Sequence, residues 1–292
     1  MSDNNPRPFT IKIFVPEGDP DGLRIVGRSN WTGTGVVFNR TNYKQAAARP
    51  EFSQTGVYIL VGTSEESALP TIYVGEGDPV SERLKSHYAN KDFWDWAVFF
   101  VTGDGSLNKA HVKYLESRLL ELAGAAKQCH LDNAKGSSRP NLSEADQADV
   151  ESFLLDMLSI FPLLGLGIFE KTETKKQPRD LLYIEAKGVQ GRGYEDAKGF
   201  VVLKGSHSAQ NETNSLHPHM SNLRKDLIDQ GVLVLDGDHY VFTQDRTFQS
   251  PSAAAGVVIG GSTNGRFMWR RKDGTTLKQI QQAAAAEVTP DE

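Results

Sequence analysis

Short runs in which apolar and polar residues alternate fill the first part of the chain, and this period of two predicts β-strands. The runs FTIKIFV, GLRIVG and GVVFN lie between residues 9 and 39, separated by clusters of Gly, Asp and Pro that predict turns. We expect residues 1–50 to form a small β-rich extension that packs on the domain that follows.

The next segment, residues 51–170, combines the alternation typical of strands with the spacing of three and four residues typical of helices. GVYILVG and TIYVGEG are β-type runs joined by a polar loop, a helix is expected over residues 80–90, and FWDWAVFFVT has the pattern of a central strand. Apolar positions three and four apart predict a strong helix from Leu107 to Lys127. A further amphipathic helix begins at Ser143, three residues before an acid, and ends near Ile160. We expect this helix to pack across the domain.

Strand alternation sorts the side chains of the two β-type runs onto two faces. The aliphatic residues that share a face within each run are Val57, Ile59 and Val61 in the first and Ile72 and Val74 in the second. If the runs pair as a hairpin with these residues on the core, Tyr58 and Tyr73 both emerge on the other face.

The pattern of residues 181–278 predicts a second α+β domain. Residues 172–180 are expected to form the linker before it. Its predicted elements are strands at 181–186 and 200–203 around a glycine-rich stretch, a helix at 216–230, a hairpin in VLVLDGDHYVFT, a helix at 252–259 and a final strand in RFMWR. Residues 279–292, rich in Ala and Gln, are expected to be a frayed or disordered tail.

Composition places the chain among globular proteins of a reducing compartment. Hydrophobic residues make up 38% and charged residues 24% of its 292 positions, and its one cysteine, Cys129, excludes an intrachain disulfide and a cysteine zinc cluster. The polar N-terminus lacks the features of a secretion signal, and the most apolar run, Phe153 to Phe169, contains an Asp and a Pro. We therefore expect a cytoplasmic protein with no membrane partner and no disulfide partner.

The charge distribution bears on nucleic-acid binding. The net charge is −5, and residues 56–135 hold eight Lys or Arg against eleven Asp or Glu. Residues 187–278 hold twelve against nine, and the cations concentrate at Arg266, Arg270, Arg271 and Lys272. If DNA is a partner, we expect this C-terminal part to capture it, with Arg266, Arg270 and Arg271 on the backbone and Trp269 stacking. A strand with a buried Trp and a solvated basic face is the alternative.

One carboxylate interrupts the apolar stripe of the 107–127 helix. Glu116 lies four residues after Val112 and three before Leu119, within the stripe, whereas Glu121 falls on the wet face. A buried carboxylate is costly unless it is paired or bound to a cation. A structural ion pair, with Arg83 as a candidate partner, and a metal ligand both satisfy this requirement.

The order of these features resembles a known family. GVY at Gly56 to Tyr58, YVG at Tyr73 to Gly75, Arg83 ten residues after the second tyrosine, and then Glu116 resemble the GIY-YIG nucleases over residues 55–135. The resemblance implies a small antiparallel sheet flanked by helices, so that the expected fold class is α+β. It also implies hydrolysis of DNA phosphodiester bonds with a single Mg²⁺ or Mn²⁺.

The resemblance also implies roles for the site residues. Glu116 would hold the metal, Tyr58 would accept a proton from the attacking water, and Arg83 and Tyr73 would steady the phosphate. His87, one helical turn after Arg83, matches a position of proton transfer.

Three further positions would support the site. Asn133 matches the asparagine that closes the family pattern, with Asn141 as the competing candidate. Gly56 and Gly75 would let backbone or DNA approach closely.

Two departures from the family pattern stand out. Valine replaces isoleucine in both tripeptides, which conserves shape. Glu76 and Asp78 follow the second tripeptide, and their charges would repel a phosphate backbone.

The C-terminal part has a resemblance of its own. FVVLKGSHSA, LRKDLIDQGVL and SPSAAAGVVIGGSTNGRFMWR are similar to a poorly characterised module that often follows GIY-YIG domains, and this resemblance implies no activity. Two alternatives to a nuclease therefore stay open, a catalytically silent nucleic-acid-binding or regulatory protein and a protein-interaction module. The sequence leaves the oligomeric state open.

Overall fold

The structure is a computed structural model that describes residues 8–133, 138–172 and 181–288. The chain divides into two compact units. The first unit comprises Met1–Ser64 and Leu69–Glu170, and the second comprises Glu65–Ala68 and Lys171–Glu292.

A seven-stranded sheet forms the centre of the first unit. Its strands are β1 (Ile11–Phe14), β2 (Arg24–Arg28), β3 (Gly33–Asn39), β4 (Gly56–Gly62), β5 (Thr71–Gly77), β6 (Trp96–Thr102) and β7 (His130–Leu131), in the spatial order β1-β2-β3-β6-β4-β5-β7. The pairings are antiparallel except that β7 runs parallel to β5. The α+β class is thus confirmed, but the sheet is larger than expected and mixed.

The strands of residues 1–50 lie in this sheet. They were expected to pack on the domain as an extension, yet β3 pairs with β6 along its whole length, from Gly33 opposite Thr102 to Asn39 opposite Trp96. The burial of β3 explains this pairing. A buried strand that did not pair would leave backbone N–H and C=O groups without hydrogen bonds and away from water.

Helices cover both faces of the sheet, and strand alternation decides what each face receives. The helices are α1 (Tyr43–Ala47), α2 (Val80–Asn90), α3 (Lys109–Ala126) and α4 (Glu144–Ile160). Val57 and Ile59 of β4 join the hydrophobic cluster that contains α3 and α4, whereas Tyr58 and Leu60 join the cluster that contains α1 and α2. The predicted separation of aliphatic and tyrosine faces is therefore confirmed.

Side-chain caps fix where the two long helices begin. Asn108 accepts hydrogen bonds from the backbone N–H of Ala110 and His111 at the start of α3. Ser143 accepts from the N–H of Asp146 at the start of α4, as the sequence predicts.

The described residues of the second unit form two antiparallel sheets and four helices. Its strands are β8 (Leu182–Ala186), β9 (Val189–Asp196), β10 (Gly199–Val202), β11 (His207–Ala209), β12 (Leu233–Asp236), β13 (His239–Phe242) and β14 (Arg246–Phe248), and its helices are α5 (Pro218–Asp229), α6 (Pro251–Ile259), α7 (Gly265–Met268) and α8 (Leu277–Val288). The sheet orders are β14-β10-β9-β8 and β11-β13-β12. The hairpin and the helices predicted at 216–230 and 252–259 are confirmed.

Three elements of the second unit differ from the sequence prediction. The glycine-rich stretch contains strand β9, whose Gly191 and Gly193 leave room for the side chains of Ile184 and Phe200. RFMWR forms a helical turn, capped by the Asn264 side chain on the N–H of Arg266, followed by an extended Trp269.

The third difference concerns the C-terminal end. Residues 277–288 form α8 where the sequence predicted a tail, because Leu277 is buried and Ile280 packs on the same core. The predicted linker at residues 172–180 lies outside the described residues except for Thr172.

Two further features concern the surroundings of the protein. No helix among the described residues is long and apolar enough to cross a membrane. Cys129 is buried, and because it is the one cysteine of the sequence the chain forms no internal disulfide.

Adjacent leucines on α4 provide a test of the core. Leu154 is 1% exposed and Leu155 is 66% exposed. We expect Leu154→Ala to lower the free energy of unfolding of the first unit by about 2–5 kcal/mol, because it removes buried methyl groups and leaves a cavity. The matched change Leu155→Ala should stay within about 0.5 kcal/mol of the wild type. Urea denaturation measures both, and equal effects would contradict the placement of α4.

Candidate active site

The hairpin of β4 and β5 brings the two tyrosines together. Tyr58 lies directly opposite Gly75, and a Cβ at Gly75 would come within 2.4 Å of the Tyr58 hydroxyl and Cζ. The Tyr58 ring therefore occupies the space above Gly75. The Tyr58 and Tyr73 rings are nearly parallel, with their centres 6.1 Å apart.

Helix α2 adds an imidazole to this pair. His87 Nε2 lies 2.7 Å from the Tyr58 hydroxyl, and its ring centre lies 4.6 Å from that of Tyr73. Leu84 and Val80 of the same helix are buried in the core beside Tyr58. The buried side of α2 therefore fixes the position from which His87 reaches the tyrosines.

The surroundings of His87 keep its ring neutral. Burial, followed by the nearby charges of Lys91 and Arg83, lowers the pKa of His87 from its ordinary 6.5 to about 4, while Asp132 opposes the shift. A neutral ring can accept a proton at Nε2. In the tautomer that carries its proton on Nδ1, the ring accepts this hydrogen bond from the Tyr58 hydroxyl.

The surroundings of Tyr58 keep its phenol protonated. Burial raises the pKa of Tyr58 above its ordinary value, the neighbouring Tyr73 and Glu116 raise it further, and Arg83 acts in the opposite direction. Arg83 is exposed on α2, and its guanidinium is close enough to Tyr58 for its charge to lower the pKa of that phenol. A second positive charge near Tyr58 would, like Arg83, act to lower the pKa of this phenol.

Glu116 occupies the position that the helical pattern predicts. Its side chain is 7% exposed on α3, between the buried Val112 and Leu119. The charge of its carboxylate contributes to the raised pKa of Tyr58. Glu121, which the helical pattern places on the wet face of α3, is exposed and pairs with Arg118 and Arg139.

The structure separates the two asparagine candidates. Asn133 accepts a hydrogen bond from the Val74 N–H at 3.1 Å and donates one to the Val74 carbonyl at 2.6 Å. It therefore fixes the backbone of β5 between Tyr73 and Gly75. Asn141 is exposed.

The remaining glycine has a packing role. A Cβ at Gly56 would come within 2.4 Å of the Phe100 carbonyl oxygen, so glycine allows β4 to approach β6.

The acidic residues after the second tripeptide have partners. Glu76 lies 2.6 Å from the Nζ of Lys109, and Asp78 accepts a hydrogen bond from the Thr55 hydroxyl at 2.5 Å. The ion pair offsets the repulsion that Glu76 would exert on a phosphate.

Lys91, which the sequence analysis missed, lies beside Asp132. They form an ion pair of 2.5 Å, and the Lys91 Nζ lies 4.7 Å from the centre of the Tyr73 ring. Lys91 follows Arg83 and His87 at the same spacing of four residues. That helical period was the signal that could have revealed it.

The predicted DNA-contacting residues of the second unit differ in exposure. Arg266, Arg270 and Arg271 are exposed. Trp269 is 0% exposed, packs with its ring centre 4.5 Å from that of Phe200 and donates its indole N–H to the Pro251 carbonyl. The expectation that Trp269 stacks on a nucleic acid is therefore wrong, because its ring belongs to the core.

The residues of the first unit fit a metal ion that needs few protein ligands. Among the described residues, no group of three or more His, Cys, Asp or Glu side chains converges to hold a metal. Mg²⁺ is commonly bound by one or two carboxylates together with water and substrate phosphate oxygens. The buried carboxylate of Glu116 would supply one such ligand.

Comparisons with known proteins identify only the C-terminal part. Residues 182–281 match the model of a family described as a domain of unknown function (DUF4357), which agrees with the expectation of a poorly characterised module there. No GIY-YIG family model matches the chain, so that resemblance stays a prediction. No curated protein and no solved structure matches the chain.

Gly75 provides a test of the tyrosine packing. We expect Gly75→Ala to displace the Tyr58 ring and to lower the melting temperature, because its Cβ would overlap that ring. Gly27→Ala on β2 is the matched control, since no atom lies within 4 Å of its added Cβ. Thermal denaturation compares the two variants, and an unchanged melting temperature for Gly75→Ala would contradict the placement of Tyr58.

The neutral state of His87 can be measured by NMR. We expect the His87 ring to titrate near pH 4, and Lys91→Met to raise the pKa because it removes a repelling cation. Lys85→Met, an exposed lysine on the same helix, should leave it unchanged. A wild-type midpoint near pH 6.5 would refute the buried environment.

The same titration predicts a pH dependence of stability. The folded pKa lies below the unfolded one, so the unfolded chain binds more protons between pH 6.5 and pH 4. Stability should therefore fall as the pH drops through this window, and His87→Gln should lose that part of the slope.

Proposed function

We propose that the first unit is a metal-dependent endonuclease that hydrolyses DNA phosphodiester bonds. One observation carries the proposal. Tyr58, Tyr73, Arg83 and His87, which the resemblance to GIY-YIG nucleases singles out, lie in one cluster, and the buried Glu116 acts on Tyr58.

In this proposal, the exposed cation positions the substrate. Arg83 offers a guanidinium at the surface while interacting with the Tyr58 hydroxyl, so a phosphate bound there would lie beside that hydroxyl. The half-buried Tyr73 would donate a hydrogen bond to a second phosphate oxygen. Both contacts strengthen as negative charge builds up on the phosphate.

The hydrogen bond from Tyr58 to His87 gives the proton a route. As the Tyr58 oxygen takes a proton from the attacking water, its own proton passes to His87 Nε2. His87 can accept this proton because its ring is neutral at the start. The His87 ring is half-buried, so the proton that it has accepted can pass to solvent or to the departing oxygen.

Glu116 would hold the divalent cation. Mg²⁺ or Mn²⁺ bound there would supply positive charge that stabilises the phosphate and the departing oxygen. The carboxylate also contributes without substrate, because it helps to keep Tyr58 protonated.

An isosteric change at Glu116 tests the proposal. We expect Glu116→Gln to lower the rate of nicking by about 10²-fold or more, because a neutral amide holds the cation poorly. The substrates are supercoiled, branched and single-stranded DNA, each with Mg²⁺, with Mn²⁺ and with a chelator. Glu121→Gln, on the exposed side of the same helix, is the matched control and should keep wild-type activity.

The outcomes separate the alternatives. Equal activity of Glu116→Gln and the wild type, at equal melting temperature, would overturn the role of Glu116. Absence of cleavage by the wild type on every substrate and metal would overturn hydrolysis. The catalytically silent nucleic-acid-binding or regulatory protein would then be the better description.

A further inference from the structure

A groove of about 900 Å³ lies within the second unit, and no residue of the site above is among those that line it. It is lined by strands β8 and β9, by residues 205 and 207, and by the segment from residue 268 to 274. The matched family assigns no function to this part of the chain.

Strand pairing explains why one wall of the groove is polar. Tyr183 lies opposite Arg192, and Glu185 lies opposite Gln190, so these four side chains share one face of β8 and β9. The alternate residues Leu182 and Ile184 point to the core. The polar face is therefore left for solvent or a ligand.

The backbone holds the second wall against β8. Arg270 and Tyr183 exchange two backbone hydrogen bonds, of 2.7 and 2.9 Å, and Arg271 donates its N–H to Thr275 across a turn. The buried Trp269 anchors the segment from below through Pro251. The cations of this turn are thus presented from a fixed backbone.

Positive charge dominates the lining. Arg192, Arg270, Arg271 and Lys272 face one lining carboxylate, Glu185, whose oxygen already accepts a hydrogen bond from Gln190. Within the part of the chain that the structure describes, none of the four cations forms an ion pair shorter than 4 Å. Arg271 interacts with the exposed Asp273 at longer range. The pKa of Asp273 is lowered mainly by its hydrogen bonds to Thr275 and to a smaller extent by the charge of Arg271. Four cations gathered without close counter-charges attract a polyanion.

An aromatic ring lies among these cations. Tyr183 is half-buried, and the Lys272 Nζ lies 5.5 Å from its ring centre. An aromatic face beside backbone-binding cations is the arrangement that binds unpaired bases, because a stacked base places its phosphate within reach of the cation. The bases of a duplex are already stacked and cannot use such a ring.

We propose that this groove binds single-stranded nucleic acid. Arg192, Arg271 and Lys272 contact phosphates, and one base stacks on Tyr183. The inference does not require hydrolysis by the first unit, since every residue in it belongs to the second.

Binding by full-length protein tests the proposal. All variants carry Glu116→Gln and are assayed with a chelator, so that no cleavage enters the measurement. The probe is a fluorescent single-stranded DNA of mixed sequence, followed by anisotropy over a range of salt concentrations. The groove variant combines Arg192→Gln, Arg271→Gln and Lys272→Gln, and leaves Arg270 because its Nε donates to the Phe267 carbonyl.

A matched control removes the same number of charges elsewhere on the second unit. It combines Lys187→Gln, Lys198→Gln and Lys225→Gln, three exposed cations outside the groove. We expect the groove variant to reduce the slope of log affinity against log salt by about 2, whereas the control changes it little. Equal reductions in both variants would overturn the site.

Tyr183 separates stacking from charge attraction. Tyr183→Leu should weaken binding by about 5-fold or more, and Tyr183→Phe should retain it. With an abasic strand, the two variants should bind equally. Equal binding of Tyr183→Leu and wild type to the normal strand, or tighter binding of a duplex or an acidic peptide than of the single strand, would overturn the proposal. Cleavage assays of the wild type stand apart, so either proposal can fail while the other holds.

Discussion

A phenol and an imidazole share one hydrogen bond inside the first unit, and the surroundings determine which of them holds the proton. Burial raises the pKa of Tyr58 and lowers that of His87, so both rings are neutral at physiological pH. The proton therefore resides on the phenol oxygen. Arg83 is the neighbour that pulls the Tyr58 pKa downward, and a cation held by Glu116 would pull in the same direction. The proposed hydrolysis depends on this balance.

Packing, more than polar contacts, keeps the two rings in register. The absence of a side chain at Gly75 gives the Tyr58 ring its place, and Asn133 fixes the β5 backbone on either side. Helix α2 rests on buried Val80 and Leu84, which sets the height of His87 above the sheet. A change in any of these contacts would therefore displace the hydrogen bond between Tyr58 and His87 without altering a charged group.

The second unit uses the faces of its sheet in a similar way. Leu182 and Ile184 bury one side of β8, and Tyr183 and Glu185 leave the other side polar. Trp269 illustrates why residue type misled the prediction there. An aromatic among arginines resembles a stacking surface in sequence, but its ring is fixed in the core by Phe200 and Pro251, and it is Tyr183 that lies beside the cations.

The sequence by itself determined the elements whose periodicity is long and regular. The helices at α2, α3 and α4, the burial of Glu116 and the shared face of Tyr58 and Tyr73 all follow from the spacing of apolar residues. Only the tertiary structure decided that the first three strands join the central sheet, that glycine-rich residues form β9, and that Lys91 and Asp132 flank His87. The physical reason is that periodicity records which side of an element is buried, whereas strand partners, close approaches and pKa values depend on residues that are distant in the chain.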